Sequence, residues 1–161
     1  MAWSASKVFD QLFLDALENT AAFDLGGTPD TFKCSLWDND ITPDRTVSAA
    51  NSAFGAGQWV SAGNEVFEAG QWATGGVALT TPDLSIPAGG TIMFDAADTS
   101  SGSAADLANV YGIMIYDDTL AAPVADQGVC FNYLGGANSV VNGTLSVVYA
   151  APNSGIFAIT T

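Results

Sequence analysis

Leu107-Ala108-Asn109-Val110-Tyr111-Gly112-Ile113-Met114-Ile115-Tyr116-Asp117-Asp118 is the stretch whose reading decides the fold. Between Val110 and Tyr116 every residue but Gly112 is apolar, and none is charged. The run is too short to cross a bilayer. Its β-branched and aromatic side chains favour a strand over a helix. It reads as a strand buried on both faces, stopped by the turn-forming pair Asp117-Asp118. Such a strand needs other layers around it, and the flanking sequence supplies them.

Downstream, Gly128 to Leu134 sets Val129, Phe131 and Tyr133 opposite Cys130, Asn132 and Leu134, an alternating strand. Asn142-Gly143 is a strong turn signal, after which Thr144 to Tyr149 and Gly155 to Thr160 read as strands. Upstream, Asp95 to Asp106 is a polar loop of small residues. Thr31 to Trp37 alternates, with Phe32, Cys34 and Leu36 on one face and Thr31, Lys33 and Ser35 on the other, as a half-buried strand does. Asn64 to Phe67, Gly76 to Thr80 and Thr91 to Phe94 are further strands, with Pro82 and Pro87 bracketing a loop between the last two. Val47 to Gly57 holds at most a short helical turn. Gly57-Gln58-Trp59 recurs as Gly70-Gln71-Trp72, too close for a solenoid repeat and read as two similar turn-to-strand entries.

Ser4 to Asn19 is the one clear helix. Val8, Phe9, Leu12, Phe13, Ala16 and Leu17 gather on one side, with Lys7, Asp10, Gln11, Asp15 and Glu18 on the other. Ser4 or Ser6 caps its start, and Gly26-Gly27-Thr28-Pro29 excludes helix beyond it. The expected fold is a mainly β, single-domain sandwich or barrel over residues 1–161. About eight strands fill residues 30–161, and the helix occupies residues 1–20.

Composition narrows the function. The chain has 161 residues, which suits one domain. Hydrophobic residues make up 48%, which argues against disorder. Lys7, Lys33 and Arg45 stand against 17 acidic residues, for a net charge of −14. Three cations cannot track a phosphate backbone, so nucleic-acid binding is not expected. An anionic membrane surface would repel the chain as well. There is no histidine, which rules out Ser-His-Asp and Cys-His catalysis within the chain. Cys34 and Cys130 sit in apolar runs and read as reduced core thiols, although sequence leaves a disulfide open. The early apolar residues are broken by Asp10, Asp15 and Glu18, so no signal peptide is expected and the chain is expected to fold in a cytosol.

No motif points to a cofactor. Asp38, Asp40, Thr42 and Asp44 alternate as calcium ligands do, but Pro43 and Ala49 stand where an EF-hand loop needs Gly and Glu. An acidic turn is the better reading. Asp117-Asp118, with Asp95, Asp98 and Asp126 elsewhere, could form a carboxylate pair for glycoside hydrolysis, with Trp37, Trp59 and Trp72 stacking on sugar. In so acidic a chain, adjacent carboxylates are expected without any such role. Asn142-Gly143-Thr144 matches a glycosylation sequon and reads as a hairpin turn. Gly89-Gly90 and Gly135-Gly136 lack the context of a phosphate loop.

Several stretches carry a resemblance across the whole chain. They are the opening Met-Ala-Trp-Ser-Ala-Ser-Lys-Val-Phe, Thr-Phe-Lys at 31–33, Gly-Gln-Trp at 57–59 and Ala-Asn-Val-Tyr-Gly at 108–112. Tyr-Asp-Asp-Thr-Leu at 116–120, Val-Ala-Asp-Gln-Gly-Val-Cys at 124–130 and Gly-Ile-Phe at 155–157 complete the set. Together they resemble a family of small, acidic proteins encoded by tailed bacteriophages, notably those infecting actinobacteria. The resemblance implies a non-enzymatic virion structural protein, a decoration (cement) protein on the outer capsid surface. It implies the major capsid protein as partner, a homotrimer, assembly in the host cytoplasm and no cofactor. It carries over no site residue. A tail or tail-tip structural protein is the second reading. A carbohydrate-binding module or glycan hydrolase at the host surface is the third.

The helix supplies the expected interface. Its apolar arc is about 180° wide, where one core-facing stripe needs about 100°. Leu14 widens it further. Phe9, Leu12, Phe13 and Leu17 are therefore the expected contact residues, some meeting a sister subunit or the capsid.

Overall fold

The computed structural model describes residues 3–26, 29–150 and 155–160. Gly27 and Thr28, expected in the loop after the helix, lie outside them. The chain is mainly β. It opens with β1 (Lys7–Val8) and α1 (Asp10–Glu18), then β2 (Phe32–Trp37), the short α2 (Ala49–Ser52) and an irregular turn at Ser61–Asn64. Next come β3 (Glu65–Val66), β4 (Val77–Ala78), β5 (Thr80–Ala88), β6 (Thr91–Ala97) and β7 (Thr99–Ser100). The chain continues through β8 (Ala105–Asp117), β9 (Gly128–Gly143), β10 (Ser146–Val147) and β11 (Phe157–Thr160).

All pairings between these strands are antiparallel. The large sheet runs β1-β9-β8-β2-β3, with β4 also paired to β2; a smaller sheet runs β11-β6-β5, and β7 pairs with β10. β8 lies between β9 and β2, and its residues from Ile113 to Tyr116 are buried on both faces. Ile113 and Ile115 point into one core with Phe32, Cys34, Leu36 and Phe94. Met114 and Tyr116 point into a second core with Trp3, Phe9, Trp37 and Trp59. The first core lies where the small sheet packs over the large one, with the Phe32 and Phe94 rings 5.3 Å apart, edge to face. The second core is roofed by the N-terminal segment and the chain between β2 and β3.

That roof corrects two expectations. β2 is buried on both faces, because Ser35 and Trp37 turn into the tryptophan cluster. Trp37 donates its indole N–H to Ser35 Oγ at 2.8 Å, and Ser35 in turn donates to the Met114 carbonyl. The helix is shorter than Ser4 to Asn19. Lys7–Val8 is strand β1, paired with Phe131 and Cys130 of β9, and Phe9 is extended. Sheet pairing and the burial of Trp3 and Phe9 override the helical period there. Phe9 is the N-cap and gives no side-chain cap bond, so neither Ser4 nor Ser6 caps α1. Asn19, in the left-handed region, ends it.

Pro82 and Pro87 lie within β5 rather than around a loop. β5 is an edge strand with register shifts on both sides of its central segment, where a missing N–H is tolerated. The turn expected at Asn142-Gly143 is instead the end of the long β9. The loop expected from Asp95 to Asp106 contains β7. The recurrent Gly-Gln-Trp is a repeated turn. Gly55 N–H donates to the Trp59 carbonyl at 2.7 Å, and Glu68 N–H to the Trp72 carbonyl at 2.8 Å. The two indoles enter opposite cores.

Candidate functional site: a groove beside the N-terminal helix

Helix α1 is fixed from its inner side. Phe9 is fully buried, edge-on to Trp59 and Phe131 at 6.0 and 5.3 Å. Leu12 is buried in the first core. Asp15 locks the helix to the segment before β9, accepting from Gln127 Nε2 at 2.7 Å, Gln11 Nε2 at 2.8 Å and Thr20 Oγ1 at 2.9 Å. Burial raises the Asp15 pKa, but these three donors outweigh it and hold the carboxyl below its ordinary value.

The other side of α1 faces out. Taking about 100° per residue, Asp10, Phe13, Leu14 and Leu17 fall within one arc of roughly 100°. Leu17 is 87% exposed and Leu14 47%, while Phe13 is half-buried. Of the four expected interface residues, the structure therefore places Phe9 and Leu12 in the domain's own core and leaves Phe13 and Leu17 facing outward. Leu14 belongs with the latter two.

Phe13 leads into a groove of about 520 Å³ between β1 and β11. Val8, Cys130, Phe157 and Ile159 contribute to its lining, with Lys7 and Arg45 among its polar groups. A second groove, about 470 Å³, contains Ala5, Pro43 and Phe131 and shares Lys7 and Arg45. Two of the chain's three cations thus meet at β1. Arg45 Nε lies 3.5 Å from Asp10 and its carbonyl accepts from Asp10 N–H. Lys33 is committed elsewhere, 2.8 Å from Asp118. Among the described residues Lys7 has no ion-pair partner. Sequence reasoning missed this convergence because the cations lie far apart in the chain and only the long-range bond from Asp10 N–H to the Arg45 carbonyl brings them to one place.

The carboxylates weighed for hydrolysis are placed differently. Asp117 is fully buried. Its Oδ1 accepts from Thr119 N–H at 2.9 Å and Leu120 N–H at 3.0 Å, while Oδ2 receives no donor bond among the described residues, and the Asp30 carboxyl lies close by. Burial, aided by the charge of the nearby Asp30, pushes its pKa up to about 6 against those two bonds. Asp118 is turned to the surface and Lys33. Asp98 accepts from Tyr149 N–H. Trp3, Trp37, Trp59 and Trp72 are all buried, so none presents a face to a sugar. In the Asp38 turn the carboxylates accept local backbone bonds, from Asp40 N–H to Asp38 and from Thr46 N–H to Asp44. Among the described residues no group of three or more His, Cys, Asp or Glu could hold a metal ion.

Cys34 and Cys130 are free and buried. Each pairs with Ile115, from opposite sides of β8. Two strand spacings of about 4.8 Å separate them, beyond the roughly 7 Å a disulfide spans. Burial pushes the Cys34 thiol up to about 12 and raises Cys130 as well. No helix among the described residues is long and apolar enough to cross a membrane. No family model, curated protein or solved structure matches the chain.

Proposed function

We propose that this chain is a non-enzymatic structural protein of a tailed-phage particle, a decoration protein seated on the outer face of the capsid. The observation that carries a docking role is the outward strip of α1, where Leu14 and Leu17 are exposed beside an apolar groove. Apolar side chains presented together on an otherwise acidic surface mark a protein contact. The virion assignment rests on the sequence resemblance. The charge of −14 agrees with the outside of a shell and disfavours its DNA-filled interior. The partner would be the major capsid protein. A homotrimer would bridge neighbouring capsomers, so that modest contacts add through effective concentration.

Co-sedimentation of the purified protein with phage heads lacking it tests this reading. The wild-type protein should pellet with heads. The double variant Leu14→Lys, Leu17→Lys should remain folded, because both side chains already meet solvent, and should stay in the supernatant. Equal pelleting of the two, or no pelleting of either, would reject the proposed docking face.

A further inference from the structure

The groove between β1 and β11 follows the edges of two sheets. β1 ends the order of the large sheet and β11 that of the small one. Residues 156–160 all line the groove, so it runs along the edge of β11 rather than over one of its faces. On the opposite wall, Lys7 and Phe9 form the hydrogen-bonded positions with β9, as the bond from Phe9 N–H to the Val129 carbonyl at 3.1 Å shows. Val8 lies between them, so its N–H and carbonyl point away from β9. The floor is apolar, from Phe13, Cys130, Phe157 and Ile159. Unpaired strand edges are templates for another strand.

We propose that this groove binds an extended segment of a partner protein, which adds as a strand along β11 and carries an Asp or Glu side chain for Lys7. Main-chain bonds to β11 would give affinity, and alternate side chains would enter the apolar floor. Charge chooses the occupant. Arg45 and Lys33 each have a carboxylate within the chain, whereas Lys7 has none among the described residues. Within the groove Asp10 offsets Arg45, and distant acids of the domain are screened over about 8 Å at physiological salt, so Lys7 is the uncompensated charge there. A second copy pairing through the same edge is the poorer occupant, since residues 156–160 carry no acid for Lys7. The inference goes beyond the capsid reading and does not depend on it.

The test uses the full chain and the acetylated, amidated pentapeptide Thr-Val-Asp-Val-Thr, followed by amide NMR shifts. Saturable binding in the millimolar range or tighter is expected, with shifts concentrated at residues 156–160 and at Val8. Replacing the peptide Asp by Asn should weaken binding about threefold, as an exposed ion pair would. Lys7→Gln should weaken the Asp peptide equally and leave the Asn peptide unchanged. Methylating two peptide nitrogens on the bonded side should cost roughly tenfold. Absence of binding, shifts centred on the edge strand β5, indifference to Lys7→Gln, or indifference to N-methylation would each overturn the proposal. So would shifts at the groove that follow self-association rather than peptide.

Discussion

Trp3 and Gly112 form one unit. The indole lies over β8 where a Cβ on residue 112 would overlap its six-membered ring, and its N–H donates to the Asp38 carbonyl at 2.6 Å. Gly112→Ala should therefore destabilise the protein by about 1–3 kcal/mol, the usual cost of overpacking. Urea titration of the two proteins checks this; an unchanged midpoint would show that the ring moves aside freely. Asp117 supplies a pH signature. Its folded-state pKa of about 6 lies above the ordinary 3.8, so folding takes up a proton between these values. The stability it contributes is complete below the unfolded value and is lost as pH rises through about 6. Asp15 runs the other way, its contribution present at neutral pH and lost on acidification. Asp117→Asn keeps the oxygen that accepts from Thr119 and Leu120, removes the buried charge and places a donor beside the Asp30 carboxyl. It should gain roughly 1–2 kcal/mol at neutral pH and little near pH 4. Denaturation at both pH values checks it, and an equal effect at the two would refute the assignment.

At the scale of elements, β8 was legible because its burial on both faces leaves a run with no polar alternation. β2 was half legible: its Phe32, Cys34 and Leu36 face alternates as expected, but Ser35 hides the second buried face by satisfying its hydroxyl internally. The start of α1 was misread because Val8 and Phe9 fit a helical period as well as they fit a strand edge. Only the long-range pairing with β9 decides between them. Of the outward strip of α1, Leu17 and Phe13 were legible as apolar residues beyond one core-facing stripe, whereas the groove depends on β11 and Arg45, which no local pattern connects. Gly112 was a missed signal, since an isolated glycine in a strand marks a close approach. Trp3 and Phe9 belong to the core, so removal of residues 1–20 should unfold the domain. Ile113→Asp should do the same, because an unpaired buried charge costs several kcal/mol, comparable with the roughly 5–15 kcal/mol of a typical domain. Circular dichroism on heating checks both; cooperative melting at the wild-type midpoint would contradict the place given to these elements.

At the scale of the whole molecule, the large sheet lies between two cores, the second packed with aromatic rings edge to face at 5.2–6.1 Å. Acids dominate its charge, and its outward apolar surface beside α1 adjoins two of its three cations. Leu14 and Leu17 on that helix give the proposed partner an apolar contact beside these cations. The proposed role makes a direct demand on stoichiometry. Quantitative mass spectrometry of purified particles of a phage whose genome encodes the chain, with heads and tails separated, measures it. The chain is expected in the head fraction, in copies comparable with those of the shell subunit. A few copies confined to tails, or none in the particle, would contradict it.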